Sequence, residues 1–561
     1  MEPLTWFGAF TWFGSFLGVA IAIAVVAGLC AMLLSLTNSS AKGAFSLFNG
    51  IAIVLLMIVG FGYIYGSISG GGGGMQAATL GKMLGILVLL GLFAAMLSYF
   101  MNTFFDDPAA TMGSVFSKAL IAIGIICGIW LVWTLLFAGS DHRAYVASLA
   151  PEAMPDAETL AAEKRIAIMQ GRGILASIFM RFMPVWISLA VIFSASMYYK
   201  RKLGLYGKLY DNTIGMVGFA LVMFWVLTAL YTGVFDWIST HGPLDQASGM
   251  KNKLPGTPLR GADSGDYPFY LLGGDNLARD VFSRMVTGSV IVIMIAPLAT
   301  LFAFMVGITL GLPAGYYGGR LDTILSFLAN LILAFPVILL FYLLVTPEIV
   351  ETGIPSYMAA FLFVFPLIFF GVLLNSRYYT QPSKRNAILI PVLGILGWLY
   401  LSVINQKGTV INFLPEWLDL FDISILVVFV SVVFVNAPTV FRIVRGLTLD
   451  LRTRDYVAAA QTRGEGSWYI MLWEILPNAR GPLIVDFCLR IGYTTILLGT
   501  LGFFGLGLSS ESPDWGSTIN EGRKLLSIYL HPALPPAIAL MTLVLGLNLL
   551  ADGLREESLK D

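Results

Sequence analysis

Long apolar blocks separated by short polar stretches dominate the chain. Blocks at about 13–36, 45–66, 83–105, 119–139, 174–198, 212–235, 286–312, 322–345, 357–375, 386–404, 422–441, 483–507 and 533–553 hold few or no charges. Each approaches the roughly 20 residues that a helix needs to cross a hydrocarbon core of about 30 Å. The blocks do not alternate apolar with polar positions, as strands of a membrane barrel do. The pattern predicts an all-α polytopic membrane protein with about thirteen transmembrane helices. Arg181, near the start of the fifth block, is tolerable because a long side chain can reach toward the headgroups. Met1 to Gly14 has no basic region and no small-residue cleavage site, so the first block reads as a retained helix rather than a signal peptide.

Composition agrees with that class and excludes others. Of 561 residues 57% are apolar and 12% charged, against about 25% charged in a typical soluble domain. Lys plus Arg and Asp plus Glu are 33 each, which leaves no basic footprint for nucleic acid. Cys30, Cys127 and Cys488, and His142, His241 and His531, are scattered, so neither a disulfide framework nor a metal site is expected. Gly70 to Gly74 is a run of glycines without the Gly-Lys-Ser/Thr of a phosphate-binding loop, and reads as a flexible linker. The bias of basic residues toward the cytoplasm sets the orientation. With Lys200, Arg201, Lys202 and Lys208 inside, alternation puts Arg320, Arg377 with Lys384 and Arg385, Arg442 to Arg463, and Arg555 on the same side. It places 240–270, 406–420, 509–531 and the amino terminus outside, and the carboxy terminus in the cytoplasm. Arg165 and Arg172, in a predicted external loop, fit this less well.

One stretch departs from the short connections elsewhere. Arg442 to Pro482 has a helical but not membranous composition. Asp455 is expected to cap a short helix carrying Ala458, Ala459 and Ala460. Gly464 and Gly466 break it, and a second helix starts at Ser467, carries Trp468, Tyr469 and Trp473 and ends at Pro477. The bland reading is an interfacial connector whose arginines follow the orientation bias. A second feature lies in the span 483–507: Asp486 and Arg490, four apart on one helix face, are expected to pair, because an unpaired charge there costs several kcal/mol.

Tyr456-Val457-Ala458-Ala459-Ala460, then Gly464, then Ile475-Leu476-Pro477-Asn478 resembles the signature loop of ATP-binding-cassette importer permeases of the peptide, oligopeptide and nickel group. The resemblance continues in GDNLARDVFSR (274–284), GYYGGRLDTIL (315–325), LAFP (333–336), GFFGLGL (502–508), PDWGSTINEGR (513–523) and LNLLADGLR (547–555). Two positions depart from the family: Ala458 where an acidic residue is usual, and Leu498 where a glutamate often precedes the GFFGLG-like segment.

The resemblance implies a six-helix permease core. Residues 1–199 would then be five extra amino-terminal helices, 200–345 the first part of the core, 346–421 an insertion with two helices, and 422–561 the second part, with a cytoplasmic coupling loop at 442–482. Tyr456, Ala459 and Ala460 would form the packing face of the coupling helix, with Asp455 nearby, Gly464 as the elbow and Leu476 with Pro477 as the return to the membrane. The chain would be no enzyme and carry no cofactor, ATP and Mg being bound by a partner ATPase. Its partners would be a second permease subunit, two ATPase subunits or domains, and an extracytoplasmic solute-binding protein touching 237–270 and 509–531. The extra helices would meet a partner or membrane lipid. A bacterial inner membrane is the implied location. A secondary transporter or channel, and a noncatalytic scaffold or exporter component, stay open as alternatives; the sparse charge in most spans counts against ion coupling.

Overall fold

A computed structural model describes residues 2–8, 124–134 except 126 and 133, 157–259, 266–404, 423–506 and 512–558. The blocks at about 13–36, 45–66 and 83–105, Cys30, His142, the linker Gly70 to Gly74 and the loop 406–420 lie outside the described residues. So does the block at about 119–139, except within 124–134, where the chain is helical.

The described chain is overwhelmingly helical. In order come α1 (Ala157–Arg181), α2 (Met183–Tyr198), α3 (Thr213–Gly233), the strands β1 (Thr257–Pro258) and β2 (Phe269–Tyr270), α4 (Val281–Tyr317), α5 (Gly319–Leu333), α6 (Val337–Val345), α7 (Ile354–Leu362), α8 (Val364–Arg377), α9 (Pro382–Ile404) and α10 (Ile423–Leu451). Then follow α11 (Asp455–Thr462), a second short helical run from Ser467 to Asn478, α12 (Arg480–Phe503), α13 (Trp515–Arg523) and α14 (Leu534–Ser558). Among the described residues seven helices are long and apolar enough to cross a membrane, α7 and α8 counting together as one from Ile354 to Arg377, and up to nine spans result if each of two broken pairs counts as one.

Three expectations are corrected. The block at 322–345 is not one straight helix: α5 and α6 meet at a bend of 81° at Phe335-Pro336. Pro336 lacks an N–H and pushes the residue before it away from helical geometry, so the α5 ladder stops there. The block at 174–198 is also broken, at Phe182, just ahead of Pro184. The loop predicted to carry Arg165 and Arg172 is helical from Ala157, with a kink just after Arg172 at Gly173, φ +76°.

The chain divides into two compact units: 1–183, 240–283 and 521–535 in one, and 184–239, 284–520 and 536–561 in the other. In the first, β1 and β2 pair antiparallel, Thr257 opposite Tyr270, and the amino-terminal stretch joins through Leu4 N–H to the Gly256 carbonyl at 2.8 Å. Its interior is ionic. Arg279, 2% exposed, donates to Asp275 at 2.7 Å and to Glu521. Asp275 also accepts the Leu277 and Arg279 amides at 2.8 and 2.9 Å. Asp280 caps α4 by accepting from Phe282 N–H at 3.1 Å, and its other oxygen meets Ser283 at 2.7 Å and His241 at 3.1 Å. Burying three charges is tolerable only because each is paired and hydrogen-bonded.

In the second unit α4 and α10 approach closely enough that only glycine fits. A Cβ added at Gly307, Gly311 or Gly315 would lie 2.5, 2.9 or 2.6 Å from Val440, Val444 or Thr448. This four-residue spacing of small residues gives close packing without a solvent-driven hydrophobic effect. Trp515 wedges against Gly288 and donates its indole N–H to the Met285 carbonyl at 2.8 Å.

Candidate functional site

The candidate element joins α10 to α12 and is built entirely within the second unit. It begins later than expected, because α10 continues without a break to Leu451. Arg442 and Arg445 are therefore helix residues: Arg442 donates to Asn330 at 2.7 Å, and Arg445 grips Asp322 with two bonds, one of 2.6 Å. The connection proper is 452–479. Arg452 donates to the last carbonyls of α4, Gly315 at 3.0 Å and Tyr316 at 3.2 Å, a cation placed where the helix dipole favours one.

Asp455 does not cap α11. The turn closed by Arg454 N–H to the Leu451 carbonyl at 3.1 Å makes Arg454 the N-cap, with no side-chain bond, and puts Asp455 in the first turn. The expected packing face is divided by the helix. Val457 and Ala460 are fully buried and Tyr456 is half-buried against the same apolar cluster, whereas Asp455, Ala458, Ala459, Thr462 and Arg463 are exposed. Positions 455, 458, 459, 462 and 463 form one continuous outward stripe at helical spacing. Gln461 ties α11 to α4 by donating to the Tyr316 hydroxyl at 3.1 Å.

The elbow closes as a Schellman motif. Gly464 has φ +77°, its N–H bonds to the Gln461 carbonyl at 2.9 Å, and Glu465 N–H bonds to the Ala460 carbonyl at 3.2 Å. That pattern satisfies the last carbonyls of the helix and requires a left-handed residue, hence glycine. Nothing lies within 4 Å of a Cβ added there, so the demand is conformational rather than steric. Gly466 is extended and sits at the N-cap of the second run.

The second run is a short α-turn, Ser467–Tyr469, a π-helical stretch, Ile470–Ile475, and a final turn, Leu476–Asn478. Ile470, Met471, Leu472 and Ile475 are buried, with Trp468, Trp473 and Leu476 packed alongside. Pro477 is exposed and does not end the run, because it lies at the start of the final turn, where a missing N–H is not needed. Arg463 reaches across the elbow to Glu474 at 2.8 Å. Just inside α12, Arg490 donates to Asp486 at 2.6 Å, with side chains 9% and 18% exposed. The two spanning helices thus continue into a compact two-helix element with one buried face and one open face.

The sequence motifs 274–284 and 513–523 also carry roles that pattern alone did not reveal. Asp514 caps α13 by accepting from Ser517 N–H at 2.9 Å, and Glu521 of that helix pairs with Arg279. Burial pushes the Asp514 carboxyl up from its ordinary range despite the Ser517 bonds. Burial alone would lower His241, but the bond to Asp280, the Asp280 charge and the Tyr267 carbonyl outweigh it and leave the imidazole above its ordinary value. The signal for these pairings is the acidic and basic content of both motifs, which does not say which charge meets which. Among the described residues no cluster of His, Cys, Asp or Glu is fit to hold a metal ion.

Residues 307–556 match the family described as binding-protein-dependent transport system inner membrane component. Over 285 residues the chain is 30% identical to the glutathione transport system permease protein GsiD of Pectobacterium atrosepticum, covering 51% of this chain and 70% of that protein. It is 25% identical over 349 residues to the dipeptide transport system permease protein DppC of Alkalihalophilus pseudofirmus, covering 62% and 86%. It is 28% identical over 332 residues to the probable D,D-dipeptide transport system permease protein DdpC of Escherichia coli, covering 59% and 83%.

Proposed function

Because the chain belongs to the family of binding-protein-dependent transport system inner membrane components, we propose that it is a peptide-importing permease subunit driven by ATP hydrolysed on partner chains. The observation that carries this reading is the two-helix element at 455–478, rooted by its buried face in the apolar cluster and joined directly to α10 and α12. Its open stripe, Asp455, Ala458, Ala459, Thr462 and Arg463, is the surface for a cytoplasmic ATPase. Small side chains at 458 and 459 let a partner approach the helix backbone, and the charges at 455 and 463 frame that approach.

The chain itself holds no nucleotide; ATP and Mg belong to the ATPase. When the ATPases close, they displace α11, and the elbow passes that displacement to the second run and so to α12. Tyr456, Val457 and Ala460 are the grip on this chain's own core, Gly464 fixes the angle, and Leu476 with Pro477 leads back to the membrane. A second permease completes the pathway, and an external solute-binding protein delivers the solute to the face bearing 237–270. The pair Asp486 and Arg490 is structural, each charge being neutralised by the other within the span. That pairing, and Asp322 with Arg445, supports transport without ion coupling.

Purification of the tagged full chain from its native membrane tests the reading. A second permease, an ATP-binding-cassette ATPase and a solute-binding protein should co-purify, and the complex in liposomes should take up glutathione or dialanine only with MgATP. A preparation without any ATPase would overturn it.

A further inference from the structure

The inserted region has no assigned role, yet it meets the coupling element directly. α8 and α9 pack against each other as a hairpin, and α8 also packs on the second run. Phe369, Val372 and Leu373 lie against the apolar cluster that holds Leu472 and Ile475, and Phe369 and Val372 share a small void with Trp468 and Leu472. At the end of α8 the contact becomes specific. Trp473 donates its indole N–H to Ser376 Oγ at 3.1 Å, and Arg377 lies over the indole ring at 4.6 Å. Ser376 is itself held by donating to the Leu373 carbonyl at 3.0 Å. Two consecutive residues of the insertion thus fix one side chain by its edge and by its face.

Besides that grip the second run is held by the elbow, by Ala479 before α12, by the exposed Arg463–Glu474 pair and by apolar burial of Ile470, Met471, Leu472 and Ile475, which is non-directional and lets the tilt adjust. A helix held mainly by apolar packing can tilt, and a tilting helix absorbs displacement instead of passing it on. An indole bonded at its N–H and covered by a guanidinium has little rotational freedom.

We propose that the α8–α9 hairpin is a strut that sets the tilt of the second coupling run through Trp473, with Ser376 and Arg377 as positioning residues for force transfer. The proposal rests on the transport reading for its functional consequence, and on geometry alone for its mechanical one.

The test uses the full chain in its purified complex, with Cys30, Cys127 and Cys488 replaced by serine and spin labels at Tyr379→Cys and Asn478→Cys. The wild-type interlabel distance should be narrowly distributed and should not move on adding MgATP with vanadate. Ser376→Ala with Arg377→Ala should broaden it, and Arg377→Lys should keep it narrow. In liposomes the double variant should retain its ATPase and hydrolyse ATP, while uptake of glutathione or dialanine per ATP falls several-fold. An equally narrow distribution in the double variant, a wild-type distance that shifts with nucleotide, or an unchanged uptake per ATP would each overturn the strut. A complex lacking any ATPase defeats the transport reading instead, and the label distances still decide the strut.

Discussion

The 240–283 region and the 452–479 element are both rich in charge, and they use it in opposite ways. In the first, Asp275, Arg279 and Asp280 are buried, and their bonds close on one another, on Glu521 and on His241. In the second, Arg454 pairs with Asp450 and Arg463 with Glu474 at positions more than half exposed on the arginine side, and the helix carrying them turns an open stripe outward. A closed network specifies one local structure, and its charges are taken up inside it. An open one contributes little to stability and leaves its surface free for a partner. Charge in a motif is therefore no guide to docking until its burial is known.

The largest test of this contrast removes one arginine from each region. Arg279→Ala strands two carboxylates in a buried site and should cost about 3–5 kcal/mol, seen as loss of folded chain in detergent. Arg463→Ala removes an exposed pair worth no more than about 1 kcal/mol; folding should survive while ATPase recovery in the purified complex falls. Equal losses of folded chain would erase the distinction.

A smaller effect separates shape from charge at the elbow. Gly464→Val forces a β-branched residue into left-handed geometry, at a cost of about 1–2 kcal/mol for an L-residue, and should abolish uptake with insertion into the membrane intact. Gly464→Asn should retain much of it, because asparagine enters that region more readily and nothing crowds the site. If both variants transport alike, the elbow angle does not matter.

The smallest effect is a pH dependence confined to the closed region. The folded pKa of His241 lies above its ordinary value through Asp280 and the Tyr267 carbonyl, against the opposing pull of burial. Its contribution to stability is thus fully present below the unfolded pKa of about 6.5 and is lost as pH rises through the folded value. Hydrogen exchange in 240–283 should accelerate across that window, and His241→Gln should flatten the response. The 452–479 element holds no histidine and should exchange at the same relative protection throughout.

Among the described residues, seven of the predicted spans were legible because twenty apolar residues in a row permit few other structures in a membrane. The two-helix element was legible in outline because glycines at 464 and 466 interrupt an otherwise helical composition. What the sequence left open is what depends on neighbours distant along the chain. Asp455 looks like a cap, but the preceding turn moves the cap to Arg454. Ala459 and Ala460 are adjacent in sequence, yet one faces the core and the other the exterior, since successive helical residues are about 100° apart. Leu333 to Pro336 reads as part of one span, and only the proline warned of the bend. Trp473 gave no sign that Ser376, 97 positions earlier, holds it.

The glycine stripe of α4 has a mechanical consequence. It presses on α10 from Val440 to Thr448, close to the end of a helix that runs from Ile423 to Leu451. At 1.5 Å per residue, the centre of that contact is roughly 10 Å from the surface end of α10 and roughly 31 Å from the other. Were α10 to pivot there as one body, it would be a lever with its fulcrum off centre. A nudge of about 1 Å at the surface end would sweep the far end through about 3 Å in the opposite sense, so the place of the stripe would set the gain of any stroke passed along the helix.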